Sequence, residues 1–373
     1  MMTNPILFWV FALSGLCLVV YYVFVLLASR EHSSSGERST SSPSAEREGI
    51  SVVVVSRNGL ESLRALVPSL LAQKYPKFEI VVVNDRSFDN TDVFLKSVQR
   101  NYPTVLRIVT VPQDTTYPWP GRKFAITMGV KAAQYERIVL LDNTAVPAGE
   151  HWLDALAERM NRPQVEFLIG CTGMREGGLW AALDFRRSAC DVAWAGAGSP
   201  FRARSSNFAL RKSTFLARNG YMKDIRVPAG EADFLFQDAA HRGNTAIVCT
   251  AEALVRDDTR FSASARREQD IARWAAFRHY RPSAQVKALL PYLLKAFFLV
   301  SALWCGVMMG TYWPYWVGVV LVWGVSSAAG WIEARRLAYP RWMAIGIGID
   351  VLLLPWRLCR VVIAQALLPK GWK

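Results

Sequence analysis

The chain alternates between three kinds of hydrophobic pattern. Residues 5–28, PILFWVFALSGLCLVVYYVFVLLA, run without a charge. At about 1.5 Å per residue, a helix of that length crosses a bilayer core of about 30 Å. Residues 29–49 are Ser-rich and charged with no apolar periodicity, which predicts a polar tether. From residue 50 the pattern becomes short apolar runs separated by helical periodicity. ISVVVVS (50–56), FEIVVVND (78–85), LRIVTV (106–111) and RIVLLD (137–142) read as buried strands. ESLRALVPSLLAQ (61–73), TDVFLKSVQRNY (91–102) and RKFAITMGVKAAQ (122–134) read as helices between them. Strand–helix alternation predicts an α/β domain, a mostly parallel sheet with helices on both faces, with ligands at the carboxyl ends of the strands.

Long apolar runs return near 292–311 and 314–332, separated by the aromatic turn TYWPYW. A further run over 343–367, interrupted by Asp350, Pro355, Arg357 and Arg360, predicts a kinked span or an interfacial helix. The expected division is an anchor at 1–28, a tether at 29–49, an aqueous domain at 50–285 and a membrane region at 286–373.

Composition alters this picture in one respect. The net charge is +14, which in a soluble chain would suggest nucleic-acid binding. Here Arg266, Arg267, Arg273, Arg278, Arg281, Lys287, Arg335, Arg336 and Arg341 lie beside apolar runs, so the excess reads as positive-inside topology. No nucleic-acid partner is expected. The rule places residues 29–290 and the basic loop 333–342 in the cytosol, on the inner membrane if the source is bacterial. The six cysteines form no CxxC pair, and neither a zinc site nor a disulfide framework follows from their spacing. A reducing compartment and no structural metal are expected.

No G-x-G-x-x-G follows the first strand and no G-x-x-x-x-G-K-[ST] occurs, which disfavours dinucleotide and P-loop sites. Two strands end instead in carboxylates, Asp85 and Asp142. One strand-end Asp is as often a helix cap. Two in one sheet fit a nucleotide diphosphate better, one carboxylate accepting from base or ribose and the other helping to hold a hard divalent cation.

SVVVVSRNGLESLRALVPSLLAQKYPKFEIVVVNDRSFDNT (51–91) and GRKFAITMGVKAA (121–133) resemble the membrane-bound branch of the family-2 glycosyltransferases, of the Rossmann-like GT-A fold. The resemblance runs from about residue 50 to 280. It implies transfer of a sugar from a UDP- or GDP-linked donor to a lipid, lipid-linked or polysaccharide acceptor, with Mg or Mn as cofactor. It implies donor-binding roles for Arg57, Asn58, Asp85, Lys123 and Asp142. Asp142 and Thr144 would hold the metal, and Asn207 would face the acceptor. Glu231, Asp233, Arg273 and Trp274 would be catalytic.

Departures from the family pattern fall on chemical positions. The D-x-D position reads Asp142-Asn143-Thr144, and the Gly-acid-Asp-Asp position reads Gly230-Glu231-Ala232-Asp233. Q-x-x-R-W reads Asp270-Ile271-Ala272-Arg273-Trp274, and Gly59 stands where an acid is common. Two readings follow. In one the site is rebuilt around Glu231 or Asp233 as base; in the other the domain has lost catalysis and binds a nucleotide or serves as a scaffold. Each residue also has a plainer role: Asn207 as a turn cap, Lys123 as a solvated helix-start charge, Glu231 and Asp233 as helix caps, Arg273-Trp274 as interface anchors.

Overall fold

A computed structural model describes residues 5–29, 48–112, 121–173, 179–257, 263–309, 313–336 and 359. Apart from Cys359, the predicted 343–367 segment lies outside the described residues, as does nearly all of the tether.

The first half of the domain follows the predicted alternation. It comprises β1 (Ile50–Ser56), α2 (Leu60–Leu71), β2 (Phe78–Asp85), α3 (Thr91–Asn101), β3 (Leu106–Val111), α4 (Arg122–Ala132) and β4 (Arg137–Asp142). These strands pair in parallel in the order β3-β2-β1-β4. Alternate residues point to opposite faces of the sheet, and both faces are covered. Val52, Val54, Ile80, Val82 and Val139 pack under α2, α3 and α5 (Trp152–Met160). Val53, Val55, Val81, Val83 and Ile138 pack under α4, α6 (Leu179–Gly196) and α8 (Glu231–Ala239).

The second half is not a simple continuation. β8 (Asn207–Arg211) runs antiparallel to β4, with Leu141 opposite Asn207. The start of β8 therefore lies at the same edge as the ends of β1, β2 and β4. Beyond it lie β6 (Phe167–Gly170) and β9 (Thr245–Val248), and a small second sheet joins β5 (Ala145–Pro147), β10 (Val255–Asp257) and β7 (Thr172–Gly173).

β6 and β9 are parallel neighbours, with Gly170 opposite Val248. The next residue on each strand is a cysteine, and the structure joins Cys171 to Cys249 with Cα atoms 5.0 Å apart. No disulfide framework follows from the cysteine spacing, yet the strand register brings these two together. Spacing hid the pair because the partners are 78 residues apart and meet only through strand register.

Among the described residues, three helices are long and apolar enough to cross a membrane: α1 (Pro5–Ala28), α10 (Pro282–Met309) and α11 (Trp313–Arg336). α1 packs against the other two through Phe11, Leu18, Tyr22, Phe298, Cys305 and Tyr315. Cys305 reaches Leu7 near one end of α1, while Ser29 at the other end donates to Glu333. α1 thus runs antiparallel to α10 and parallel to α11. The ends of α1 and α10 attached to the α/β domain lie on one side.

α10 starts ten residues before the apolar run that predicted it. In its first turns Ala284 and Ala288 pack with Phe201, Phe234 and Tyr280 of the α/β domain. Hydropathy registers the membrane part of this helix and misses the part that docks on protein.

Candidate active site

The strand ends are organised by two turns fastened together. Asn58 adopts φ 50° and Arg86 φ 52°, left-handed conformations that asparagine tolerates better than most residues. The Asn58 amide carbonyl accepts from Phe88 N at 2.9 Å, and Asn58 N donates to Ser87 Oγ at 3.0 Å. Asp89 completes the fastening, accepting from Leu60 N at 3.3 Å and Thr91 N at 3.1 Å. Desolvation pushes the Asp89 carboxyl upward, but the hydrogen bonds from Thr91 and Leu60 outweigh it and hold it below the usual range. Arg57, on the same turn, is exposed at the mouth of the sheet.

Asp85 is buried at the end of β2, and its carboxylate is gripped by Arg86, Nε at 2.8 Å and Nη2 at 3.1 Å. Asp142, at the end of β4, forms an ion pair with Arg122, whose Nε lies 4.0 Å from Glu231 Oε1. Arg122 therefore bridges two carboxylates that the sequence places 89 positions apart. It opens α4, where the amide dipoles add positive potential. The family pattern points to its neighbour Lys123 and leaves Arg122 unremarked. A signal is nonetheless present in Gly121-Arg122-Lys123, since consecutive residues opening a helix point in different directions.

Lys123 points away from the strand ends. Its Nζ donates to the carbonyls of Asp224 and Val227 at 2.9 and 3.0 Å and lies 4.5 Å from the centre of the Phe234 ring. Burial pushes its pKa down from 10.5 to about 8, against the upward pull of Glu231, Asp224 and Asp233. Folding therefore releases a proton from Lys123 between about pH 8 and 10.5. Over that window the unfolded chain binds more protons, so stability rises with pH. Thermal melts of the purified protein should show a gain on the order of 2–3 kcal/mol across this window. The Lys123→Met variant should lack it; an equal gain in the variant would remove Lys123 as its source.

Asn207 is buried, and its amide N donates to the carbonyls of Cys171 at 3.0 Å and Ala253 at 3.3 Å. The side chain ties β8 to the segments flanking the disulfide. Thr144 Oγ1 donates to Asp257 Oδ1 at 3.1 Å, and Asn143 Nδ2 donates to Ser56 Oγ at 3.1 Å. Asp257, in a Val-Arg-Asp strand far along the chain, carries no motif that would single it out in the sequence. A side chain at Gly59 would run into Ser56 and Asn143, so the amide at 143 fills the space that an acid at 59 would need.

Gly230 precedes α8 with φ 83° and no side-chain cap, and an added Cβ would lie 2.7 Å from the Phe234 ring. Glycine is required there. Glu231 and Asp233 follow in the first turn, but they diverge. Glu231 faces Arg122, whereas buried Asp233 accepts a hydrogen bond from Tyr280 Oη. Burial, then the adjacent Asp233 charge, raises the Tyr280 pKa well above its usual value, so the phenol stays protonated as donor. Arg273 and Trp274 lie on α9 (Ala263–Phe277), where Arg273 pairs with Asp270 at 3.8 Å and Trp274 stacks edge-on to Phe277. This helix meets the site through Ala276 beside Gly230, and Tyr280, in the turn that follows the helix, reaches Asp233.

These residues do not fit a resident divalent cation. The Asp142 carboxylate is taken by Arg122, and the second position is a hydroxyl engaged with Asp257. Among the described residues no three His, Cys, Asp or Glu side chains converge on a metal position.

The profile of the family described as Glycosyl transferase family 2 matches residues 51–213. Residues 51–213 carry a family-2 glycosyltransferase domain. The transferase domain is similar to the poly-beta-1,6-N-acetyl-D-glucosamine synthase of Staphylococcus epidermidis, 28% identical over 127 residues, which is 34% of this chain and 28% of that protein. The synthase of the same name from Staphylococcus aureus is 30% identical over 97 residues, 26% of this chain and 22% of the relative. The matches thus span less than a third of either relative. Among solved structures, the mannosyltransferase PcManGT from Pyrobaculum calidifontis, in complex with GDP-Man and Mn2+, superposes with a TM-score of 0.56 at 15% identity. That superposition covers 92% of this chain and 99% of the other. The shared architecture is the GT-A fold, as predicted.

Proposed function

We propose that the protein is a membrane-bound glycosyltransferase that takes a sugar from a UDP- or GDP-linked donor and passes it to a lipid, lipid-linked or polysaccharide acceptor. The observation that carries this reading is the convergence of Asp85, Asp142, Arg122 and Glu231 at the strand-end edge of a family-2 domain. In the mechanism, the fastened turns bearing Arg57, Asn58 and Asp85 hold the nucleoside. Arg122 faces the diphosphate. Glu231 removes the proton from the acceptor hydroxyl as that oxygen attacks the anomeric carbon. Asp233, engaged by Tyr280, positions α8, and Lys123 anchors the loop leading to it. Arg273 and Trp274 border the acceptor side, and Asn207 fixes its floor.

The acceptor is proposed to come from the bilayer because the start of α10 joins the domain at Ala284 and Ala288 and continues into an apolar span. The cytosolic orientation rests on the basic residues beside the spans. In a reducing cytosol Cys171 and Cys249 would rest as thiols.

A second reading is favoured by Ala232 and Thr144, which replace the family's carboxylates. In it the domain binds a nucleotide at the membrane without turnover. Calorimetric titration of the detergent-purified chain with UDP- and GDP-sugars, followed by assay of nucleotide release with membrane lipid extracts, separates the two. Binding with release supports the transferase. Binding without release across acceptors supports the scaffold. No binding to any nucleotide sugar defeats both.

A further inference from the structure

A nucleotide-sugar donor brings a diphosphate whose negative charge grows as the sugar leaves. The strand-end edge already holds Asp142 and Glu231, two carboxylates that repel such an anion unless a cation stands with them. That cation is part of the chain. The Arg122 guanidinium is paired with Asp142 and lies 4.0 Å from Glu231 through Nε.

We propose that Arg122 takes the place of a divalent cation, so that the site binds the diphosphate of a nucleotide donor without metal. This rests on the reading of the strand ends as a nucleotide-sugar site. Three features support it. Guanidinium presents several N–H donors in one plane, enough to grip a carboxylate on one edge and a phosphate on another. Its side chain is 34% exposed, against 19% for Asp142 and 12% for Glu231, so an edge of the fork stays open to a ligand. The remaining polar groups of the D-x-D position are committed elsewhere, Asn143 to Ser56 and Thr144 to Asp257. The loss of the second carboxylate at 144 and the presence of Arg at 122 are then one change: a helix-borne cation makes the second ligand unnecessary, and a metal would have to displace Arg122 from Asp142.

The test uses the full chain in detergent, with UDP and GDP themselves as probes, titrated calorimetrically in EDTA and again with Mn2+. Whichever nucleotide binds should do so in EDTA with a Kd within about threefold of its Mn2+ value. Arg122→Gln should weaken binding in EDTA at least about tenfold, the loss of one charge-assisted phosphate contact. Arg122→Lys, which keeps charge without the fork, should fall between. Wild-type binding that requires Mn2+ overturns the proposal while leaving the nucleotide-sugar reading intact. So does metal-free binding that Arg122→Gln leaves unchanged. Failure of both nucleotides under both conditions defeats the reading beneath it as well. The wild-type comparison needs no variant, so it remains decisive even if Arg122→Gln folds poorly.

Discussion

Glu231→Gln is expected to lower turnover by about 10²–10⁴-fold while leaving nucleotide affinity nearly unchanged. The magnitude is that of removing a general base. The asymmetry follows from geometry: Glu231 looks into the strand-end edge beside Arg122, and glutamine keeps its size while losing the ability to take a proton. Asp233→Asn makes the contrast. Asp233 is turned into the protein, where Tyr280 donates to it. Its amide should mainly weaken the attachment of α8 to the turn between α9 and α10, lowering thermal stability, with a fall in turnover of no more than about tenfold. Steady-state kinetics of both variants, with nucleotide titrations alongside, decide the matter. If Asp233→Asn abolishes turnover and Glu231→Gln does not, the roles are reversed. If both retain full turnover, neither residue is the base.

The largest expected effect on stability belongs to Phe236→Ala. Phe236 is fully buried on the helix that carries Glu231, with ring centres 5.1 Å from Phe167 on β6 and 6.1 Å from Phe208 on β8. Removing a buried phenyl group costs about 3–5 kcal/mol, through lost transfer energy and the cavity left behind. The same change loosens the contact that fixes α8 to the sheet, so activity should fall faster than the folded fraction. Thermal melts and turnover below the melting range measure the two effects separately. A variant that melts with wild type would show that the aromatic cluster does not hold this helix.

Much of this architecture is readable from the chain. The run Val52–Val55 and its counterpart Val81–Val83 have no polar face, which marks a strand covered on both sides, and the intervening helices follow from their apolar spacing. The strand-end positions of Asp85 and Asp142 are equally plain. What escapes depends on partners distant in sequence. Arg122 is one of many basic residues until β4 brings Asp142 to it and α8 brings Glu231. Lys123, one position on, has the more familiar motif place, yet the turn of the helix sends it into the loop at 224–227. Asn207 has the look of a side chain for a ligand, but its amide N is spent on two backbone carbonyls. The two carboxylates of Glu231-Ala232-Asp233 are interchangeable in sequence; Tyr280, reaching back from beyond α9, is what separates them. Cys171 and Cys249 become a pair only through the register of β6 and β9.

The packing of α1 against α10 and α11 bears on how the protein is made. The hydroxyls of Ser14 and Ser301 lie 2.7 Å apart across 287 positions of sequence. Synthesis delivers the first helix to the bilayer long before its partners exist, and the entire transferase domain must be translated in between. During that interval Ser14, buried in the finished bundle, has the carbonyl of Phe11 as a local partner at 2.8 Å. Ser29 likewise has Leu26 O at 3.2 Å. Both serines can bond to carbonyls of their own helix before the contacts between helices form. Closure of this packing therefore waits until α10 and α11 have been made. A chain halted before α10 would leave a lone anchored helix whose polar groups are provisionally satisfied and whose packing face still awaits its partners.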